Sequence, residues 1–247
     1  MSTPPLRLYR YTFPTPIGDF VLLIDNDGAV RLSNWTDCED HAVERLRRAY
    51  KPQEIVIEVV DNKTEGTTTK TRTDETIITN NNDNSNNNNN NNDAHPYAVQ
   101  QLKRYFDYPP YFNASTDANK DNIDINHRIR QEELQKLLDT VPIHYAPSTP
   151  FLRNVWTVLR EVRSGDITTY GTLAKRCQHP NASRAVGYAM RENHICVLLP
   201  CHRVVGASQA LTGFGSGLWR KVWLLRHEGA AIVGDAVKRK RSVVKMC

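Results

Sequence analysis

Apolar and polar positions change rhythm several times along this chain. Phe20–Ile24 and Ala29–Trp35 are apolar runs separated by Asp25-Asn26-Asp27-Gly28. An Asp-Gly pair tolerates positive φ, so this spacing predicts a β-hairpin. Cys38–Tyr50 sets Ala42, Val43, Leu46 and Ala49 at helical spacing, and Glu54–Val60 alternates as a strand does. Helical patterning returns over Pro96–Phe106 and near Arg128–Leu138. Between these elements the chain turns polar twice. Residues 62–93 are rich in Thr and Lys and then almost pure asparagine. Such a tract cannot bury enough apolar area to offset its ordering entropy, so disorder is expected there. A second polar loop covers 113–122. The flanking elements read as one α/β domain over 1–147, interrupted twice.

The texture changes after Pro147. Ser148 or Thr149 can cap a helix, Pro150 suits its first turn, and Phe151, Val155, Val158, Leu159 and Val162 form an inner stripe. Gly165 ends it. Thr168–Cys177 opens with two candidate caps and carries Leu173 and Ala174 inward. After the short link His179-Pro180-Asn181, a second helix is expected over Ala182–Arg191. Two short helices joined by a tight turn are the sequence image of a helix-turn-helix, although many helical hairpins bind no nucleic acid. Another helix is expected over Leu218–Glu228. A last apolar run, from Ile195, reads as a buried strand driven into Pro200-Cys201-His202-Arg203.

Composition adds bounds. With 247 residues the chain has room for one large or two ordinary domains. A formal net charge of +5 is compatible with a polyanionic partner. The five cysteines, Cys38, Cys177, Cys196, Cys201 and Cys247, are odd in number and scattered, with no secretory leader pattern ahead of them. Thiols in a reducing compartment are expected. No Cys-x-x-Cys pair exists, so no metal site is expected. No window approaches a membrane span, so no membrane partner is expected.

Cys201 admits three readings at this point: packing, metal ligation or nucleophilic chemistry. A thiol is only a few per cent thiolate at neutral pH and needs a base or a positive charge to become useful. His202 is adjacent, but neighbours in an extended chain point apart, so a bend after Pro200 or a bridging water is required. A histidine base also needs an acidic partner to fix its tautomer, and Glu228 is the best downstream candidate.

The strings TPFLRNVW, ITTYGTLAKR, ASRAVGYAMRENH, PCHRVVG and TGFGSGLWRKVWLLRHEG run in order from about Thr149 to Gly229. Together they resemble the O6-alkylguanine-DNA alkyltransferase family. The hairpin string TPIGDFVLLIDNDGAVRLSNW resembles that family's N-terminal domain, and the two polar stretches resemble insertions into it. The resemblance implies an α+β fold. An N-terminal α/β domain with a ribonuclease-H-like hairpin and sheet (1–147) would precede a mainly helical, winged-helix-like catalytic domain with the helix-turn-helix (148–232) and a basic tail (233–247). It also implies DNA repair by direct reversal: a methyl or larger alkyl group moves from O6 of guanine, or O4 of thymine, to the protein's own cysteine. The transfer is irreversible, happens once per molecule and uses no cofactor.

By motif, the resemblance makes Cys201 the acceptor, His202 its base through a water, and Glu228 the group that orients His202. Asn193 holds the turn around Cys201, and Tyr170 donates to the leaving guanine. Arg184 fills the gap left by a flipped base. Ala182, Ala185, Gly187, Arg191 and Gly171 meet the minor groove of double-stranded DNA. Val204, Gly215, Phe214 and Cys196 surround the flipped alkylated guanine. A monomer is implied. Tyr188 departs from the small residue usual in the family, Cys196 from a proline that some relatives carry, and Gly215 from serine or alanine. The tail segment Val237–Arg241 (VKRKR) reads as a nuclear signal, a DNA-backbone contact or a solvated tail, and the nucleus, or the cytoplasm together with the nucleus, is the expected location. Two alternatives stand beside the transferase: a non-enzymatic lesion binder of the same fold, and a Cys-His hydrolase, for which the sequence offers no oxyanion motif.

Overall fold

The computed structural model describes residues 3–60, 69–73, 76–80, 94–109 and 120–230. The chain divides into two compact units. The first takes its residues from 1–106, 140–148 and 194–196, the second from 107–139, 149–193 and the stretch that starts at 197.

The first unit is built on a six-stranded sheet of order β3-β2-β1-β4-β5-β6. Its strands are β1 (Leu6–Phe13), β2 (Phe20–Ile24), β3 (Val30–Trp35), β4 (Ile55–Val60), β5 (Thr69–Thr73) and β6 (Thr76–Asn80). Strand β1 pairs parallel with β4, and every other neighbour is antiparallel. The expected hairpin is β2–β3, turning through Gly28 at φ 80°. Strand alternation gives the sheet two apolar faces. One, with Leu8, Val21, Leu23, Leu32, Ile55 and Ile57, meets Ala42, Leu46 and Tyr50 of helix α1 (Glu39–Tyr50). Phe13, Phe20 and Trp35 instead form an aromatic cluster with Phe106 of helix α2 (Ala94–Asp107), in tilted and edge-on ring contacts. The free edge of β3 is covered where Ile143 bridges to Val30 and Ile195 to Ser33.

One expectation changes here. Strands β5 and β6 lie inside 62–93, where disorder was expected. Their alternating, Thr-rich segments are β-branched and extend the ladder from β4. The asparagine tract, most of the second polar loop and the basic tail lie outside the described residues.

The second unit is mainly helical. It contains α3 (Lys120–Asp139), α4 (Pro150–Arg160), α5 (Tyr170–Arg176), α6 (Ser183–Arg191) and α7 (Leu218–His227). Two-residue strands β7 (Thr168–Thr169) and β8 (Val204–Val205) pair in parallel. The boundary expected at 147 therefore shifts, because α3 belongs with the second unit. Its side chains explain this: Arg130 donates to the His227 carbonyl at 2.8 Å, and Gln135 accepts from the Ser164 N–H at 2.8 Å.

Helix α4 starts as its sequence predicts, with Thr149 accepting from the Leu152 N–H and Pro150 in the first turn. Its fully buried face is Val155, Trp156 and Leu159. Trp156 replaces Phe151 and Val158 there because its indole N–H reaches the Ala189 carbonyl of α6 at 2.9 Å. Gly165, at φ 86°, ends the segment against the Gln131 side chain, which fills the space a Cβ would need. No described helix is long and apolar enough to cross a membrane.

Candidate active site

The run from Ile195 to Leu199 is not a strand. Ile195 makes one bridge, and at Val197 the backbone turns with φ 72°, a conformation β-branched residues rarely adopt. This turn leads through Pro200 into a single 3-10 turn, Cys201–Arg203. The bend that the Cys-His juxtaposition requires is therefore present, and Cys201, His202 and Arg203 are all buried.

Asn193, just past the end of α6, donates its side-chain amide to the Leu199 carbonyl at 3.0 Å and to Cys201 Sγ at 3.1 Å. It thus ties the turn and the sulfur to the end of the helix. The Val204 N–H closes the 3-10 turn on the Cys201 carbonyl.

His202 Nε2 lies 3.1 Å from Glu228 Oε1. Glu228 caps α7 and is fully buried. Both its oxygens are also held by Arg203, at 2.9 Å from Nε to Oε2 and 2.6 Å from Nη2 to Oε1. Arg203 donates further to the Gln135 side chain at 3.1 Å, the Val162 carbonyl at 2.5 Å and Ser164 Oγ at 2.9 Å. A buried guanidinium with this many acceptors is compensated in charge and in hydrogen bonds.

Burial works to raise the Glu228 carboxyl, but Arg203 and His202 outweigh it and hold the group well below the usual carboxylate range. Burial lowers His202 below its ordinary value. Glu228 opposes that, while Arg203 and Lys221 add to it. His202 is therefore neutral at rest beside an ionised Glu228. The carboxylate takes the Nε2–H, which leaves Nδ1 with its lone pair. That Nδ1 is buried and has no protein partner.

Tyr170 opens α5, and its hydroxyl lies near the 212–213 loop. Burial raises its pKa, and the Cys201 charge adds to the rise, so it stays protonated. Val204 is buried, Phe214 and Gly171 are half-buried, and Gly215 is exposed with open space around its Cα. Cys196 groups with the first unit, where Ser33 holds its backbone through the Cys196 N–H (2.9 Å) and carbonyl (2.7 Å). On α6, Arg184, Ala185 and Arg191 are exposed and Gly187 is half-buried; Ala182, half-buried, caps the helix.

One residue that sequence reasoning passed over is Lys221. It is fully buried on α7, and its Nζ donates to the carbonyls of Val204 (2.6 Å) and Thr212 (2.9 Å). It thereby joins the segment after Cys201 to the loop before Phe214. Burial lowers its pKa to about 8, against an opposing pull from Cys201. A lysine at helical spacing from Leu218, Leu224 and Leu225 was the available signal. Arg203 was missed as a hub because its partners come from α3 and from the 162–164 turn.

Among the described residues no cysteine forms a disulfide. One cluster of metal-ligand type exists among them, Asp25, Asp27 and His144 in the first unit. Asp25 is already engaged by Arg31 at 2.6 Å, by His144 at 2.8 Å and by the N–H groups of Asp27 and Ala29.

Residues 150–230 match the family model described as 6-O-methylguanine DNA methyltransferase, DNA binding domain. A methylated-DNA–protein-cysteine methyltransferase of Shigella flexneri is 46% identical over 93 residues, 38% of this chain and 54% of the relative. A protein of the same name from Saccharomyces cerevisiae is 41% identical over 88 residues, 36% and 47% respectively. The matched region thus spans about half the length of these relatives. The Mycobacterium tuberculosis OGT solved in complex with DNA superposes with a TM-score of 0.52 at 22% identity, covering 91% of this chain and 93% of that one. This likeness supports the α+β fold, with an N-terminal sheet and a helical C-terminal part. Residues 150–230 are thus similar to the DNA binding domain of 6-O-methylguanine DNA methyltransferases.

Proposed function

We propose that this protein repairs DNA by direct reversal, moving a methyl or larger alkyl group from O6 of guanine, or O4 of thymine, to its own Cys201. The observation that carries the reading is the buried line Arg203–Glu228–His202 beside a sulfur that accepts from Asn193. A donor on Sγ favours the thiolate. The lone pair on His202 Nδ1 can receive the thiol proton, and one water between Sγ and Nδ1 would satisfy a buried atom that has no protein partner. Glu228 then stabilises the imidazolium.

The thiolate attacks the sp³ carbon of the alkyl group. A C–S bond forms as the C–O6 bond breaks, and the electron pair leaves with the base. Tyr170, protonated, donates to the departing guanine, and the proton held on His202 restores neutrality. A donor placed where negative charge develops lowers the barrier. The product thioether is a poor alkyl donor, so each molecule acts once, and no cofactor enters the proton or alkyl balance.

Double-stranded DNA is the partner, bound as a monomer through the minor groove. The exposed face of α6 lies along the groove, with Ala182, Ala185 and Gly187 permitting close approach and Gly171 and Arg191 adding contacts. Arg184 takes the place of the extruded base. Val204, Gly215 and Phe214 line the pocket for that base. The substrate and the basic segment Val237–Arg241 together assign the protein to the nucleus.

The test is direct. After exposure to methylated duplex DNA and tryptic digestion, peptide Glu192–Arg203 gains one methyl group, and fragmentation places it on Cys201 rather than Cys196. An unmodified Cys201 after full exposure would sink the proposal, and tight lesion binding without transfer would favour the lesion binder.

A further inference from the structure

Among the described residues the exposed large apolar side chains are Tyr97, Ile125, Ile129, Tyr188 and Trp219. Trp219 is partly covered by the Arg220 guanidinium, 4.6 Å from its ring centre. Tyr188 has no such cover. It is 51% exposed in the middle of α6. Arg184 lies four residues before it and Arg191 three after, so the three side chains share one stripe of the helix. All three are exposed, and among the described residues none takes a hydrogen-bond or ion-pair partner through its side chain.

The helix cannot roll to hide the ring. Val186 and Ala189 are buried on its other face, and the Trp156 indole holds the Ala189 carbonyl. Beside the ring the surface is low, since a Cβ on Gly187 would meet nothing within 4 Å. The stripe is thus an aromatic plate between two unpaired cations on an open shelf. Its charge complements a phosphate backbone.

Resting on the reading that α6 lies along DNA, we infer that Tyr188 is a wedge. It is seated between Arg184, which replaces the extruded base, and a phosphate-binding Arg191, and makes the protein prefer a duplex already weakened at an alkylated base pair. The minor groove is about 6 Å wide, too narrow for a helix and a standing tyrosine ring unless the groove opens. Apolar side chains inserted there unstack and open the duplex. Opening costs least where pairing is already damaged. The ring therefore turns local weakness into binding preference before any chemistry occurs.

The experiment uses the full chain carrying Cys201→Ala, so that binding is read without transfer. A fully paired duplex is compared with the same duplex containing O6-methylguanine. Adding Tyr188→Ala weakens binding to the lesion duplex about tenfold, the scale of one lost base–aromatic contact, and changes the paired duplex little. Tyr188→Phe keeps the preference. The slope of log affinity against log salt is unchanged by Tyr188→Ala and flattens by about one for Arg191→Ala. In the chain with Cys201 intact, Tyr188→Ala reacts with free O6-benzylguanine at the parent rate, which shows that the pocket is folded. Equal loss on both duplexes, or binding as tight as the parent's on both, overturns the wedge. If the parent binds no DNA and Cys201 gains no alkyl group, the proposed function fails with it. If the parent binds and transfers while Tyr188→Ala keeps its selectivity, the wedge alone fails.

Discussion

At the scale of residues, the site depends on one buried carboxylate serving two cations. Glu228 accepts from both His202 and Arg203 and is fully buried. Glu228→Gln keeps the shape and removes the charge. Arg203 would then be a buried cation without a counter-charge, a change that typically costs about 3–5 kcal/mol. A lower urea midpoint and slower Cys201 alkylation are both expected. A variant as stable as the parent would show that Arg203 is compensated by Gln135, Ser164 and the Val162 carbonyl alone. Much of this site was legible in the sequence. Cys201, His202, Asn193 and Glu228 fall in strings whose order identifies them, and the structure brings them together. Lys221 and the Arg203 hub were not legible, because their roles depend on carbonyls and on a helix far away in sequence. Periodicity reports which face of an element is buried, not which distant acceptor waits there.

At the scale of elements, the helices were legible to within a residue or two wherever caps and apolar stripes agreed. Helix α4 shows why. Thr149 accepts from the Leu152 N–H at 3.3 Å, satisfying a helix-end donor that has no intrahelical partner. Thr149→Ala is expected to cost about 1 kcal/mol, read as a shifted unfolding midpoint. Thr149→Ser should restore most of it. No change in either variant would mean that Pro150 alone sets the helix start. The apolar run before Cys201 was misread for an equally local reason. Continuous burial suits a strand, but Val197 adopts a left-handed turn and the segment closes as a 3-10 turn. Apolar content does not report φ. The Thr-rich strands β5 and β6 were missed because polar composition masked their β-branched alternation.

At the scale of the whole molecule, neither unit is continuous in sequence, which is why a boundary at 147 looked natural and was displaced. The segments 140–148 and 194–196 return to the first unit, and α3 joins the second. Each unit contains a histidine that is buried neutral, and this makes acid stability a property of both. In the first, burial and Arg45 push His194 down from 6.5 to about 4. In the second, burial lowers His202. A depressed folded value means that the unfolded chain binds the proton first. Above pH 6.5 both states are neutral and His194 contributes no pH dependence. Between 6.5 and 4 only the unfolded state gains the proton, so stability falls as pH falls. The loss for His194 reaches about 3 kcal/mol near pH 4 and then levels off. Thermal unfolding should therefore shift to lower temperature from pH 7 to pH 4.5, and His194→Gln should flatten that shift for the first unit. His202 adds a loss of the same sign in the second unit, beginning as pH falls below its ordinary value. Glu228 behaves with the same sign lower down: its stabilisation is full above the ordinary carboxylate range and is lost only as pH falls through its depressed value. If His194→Gln leaves the pH dependence of unfolding unchanged, the buried imidazole is already protonated in the folded protein, and Arg45 cannot be the cation it faces.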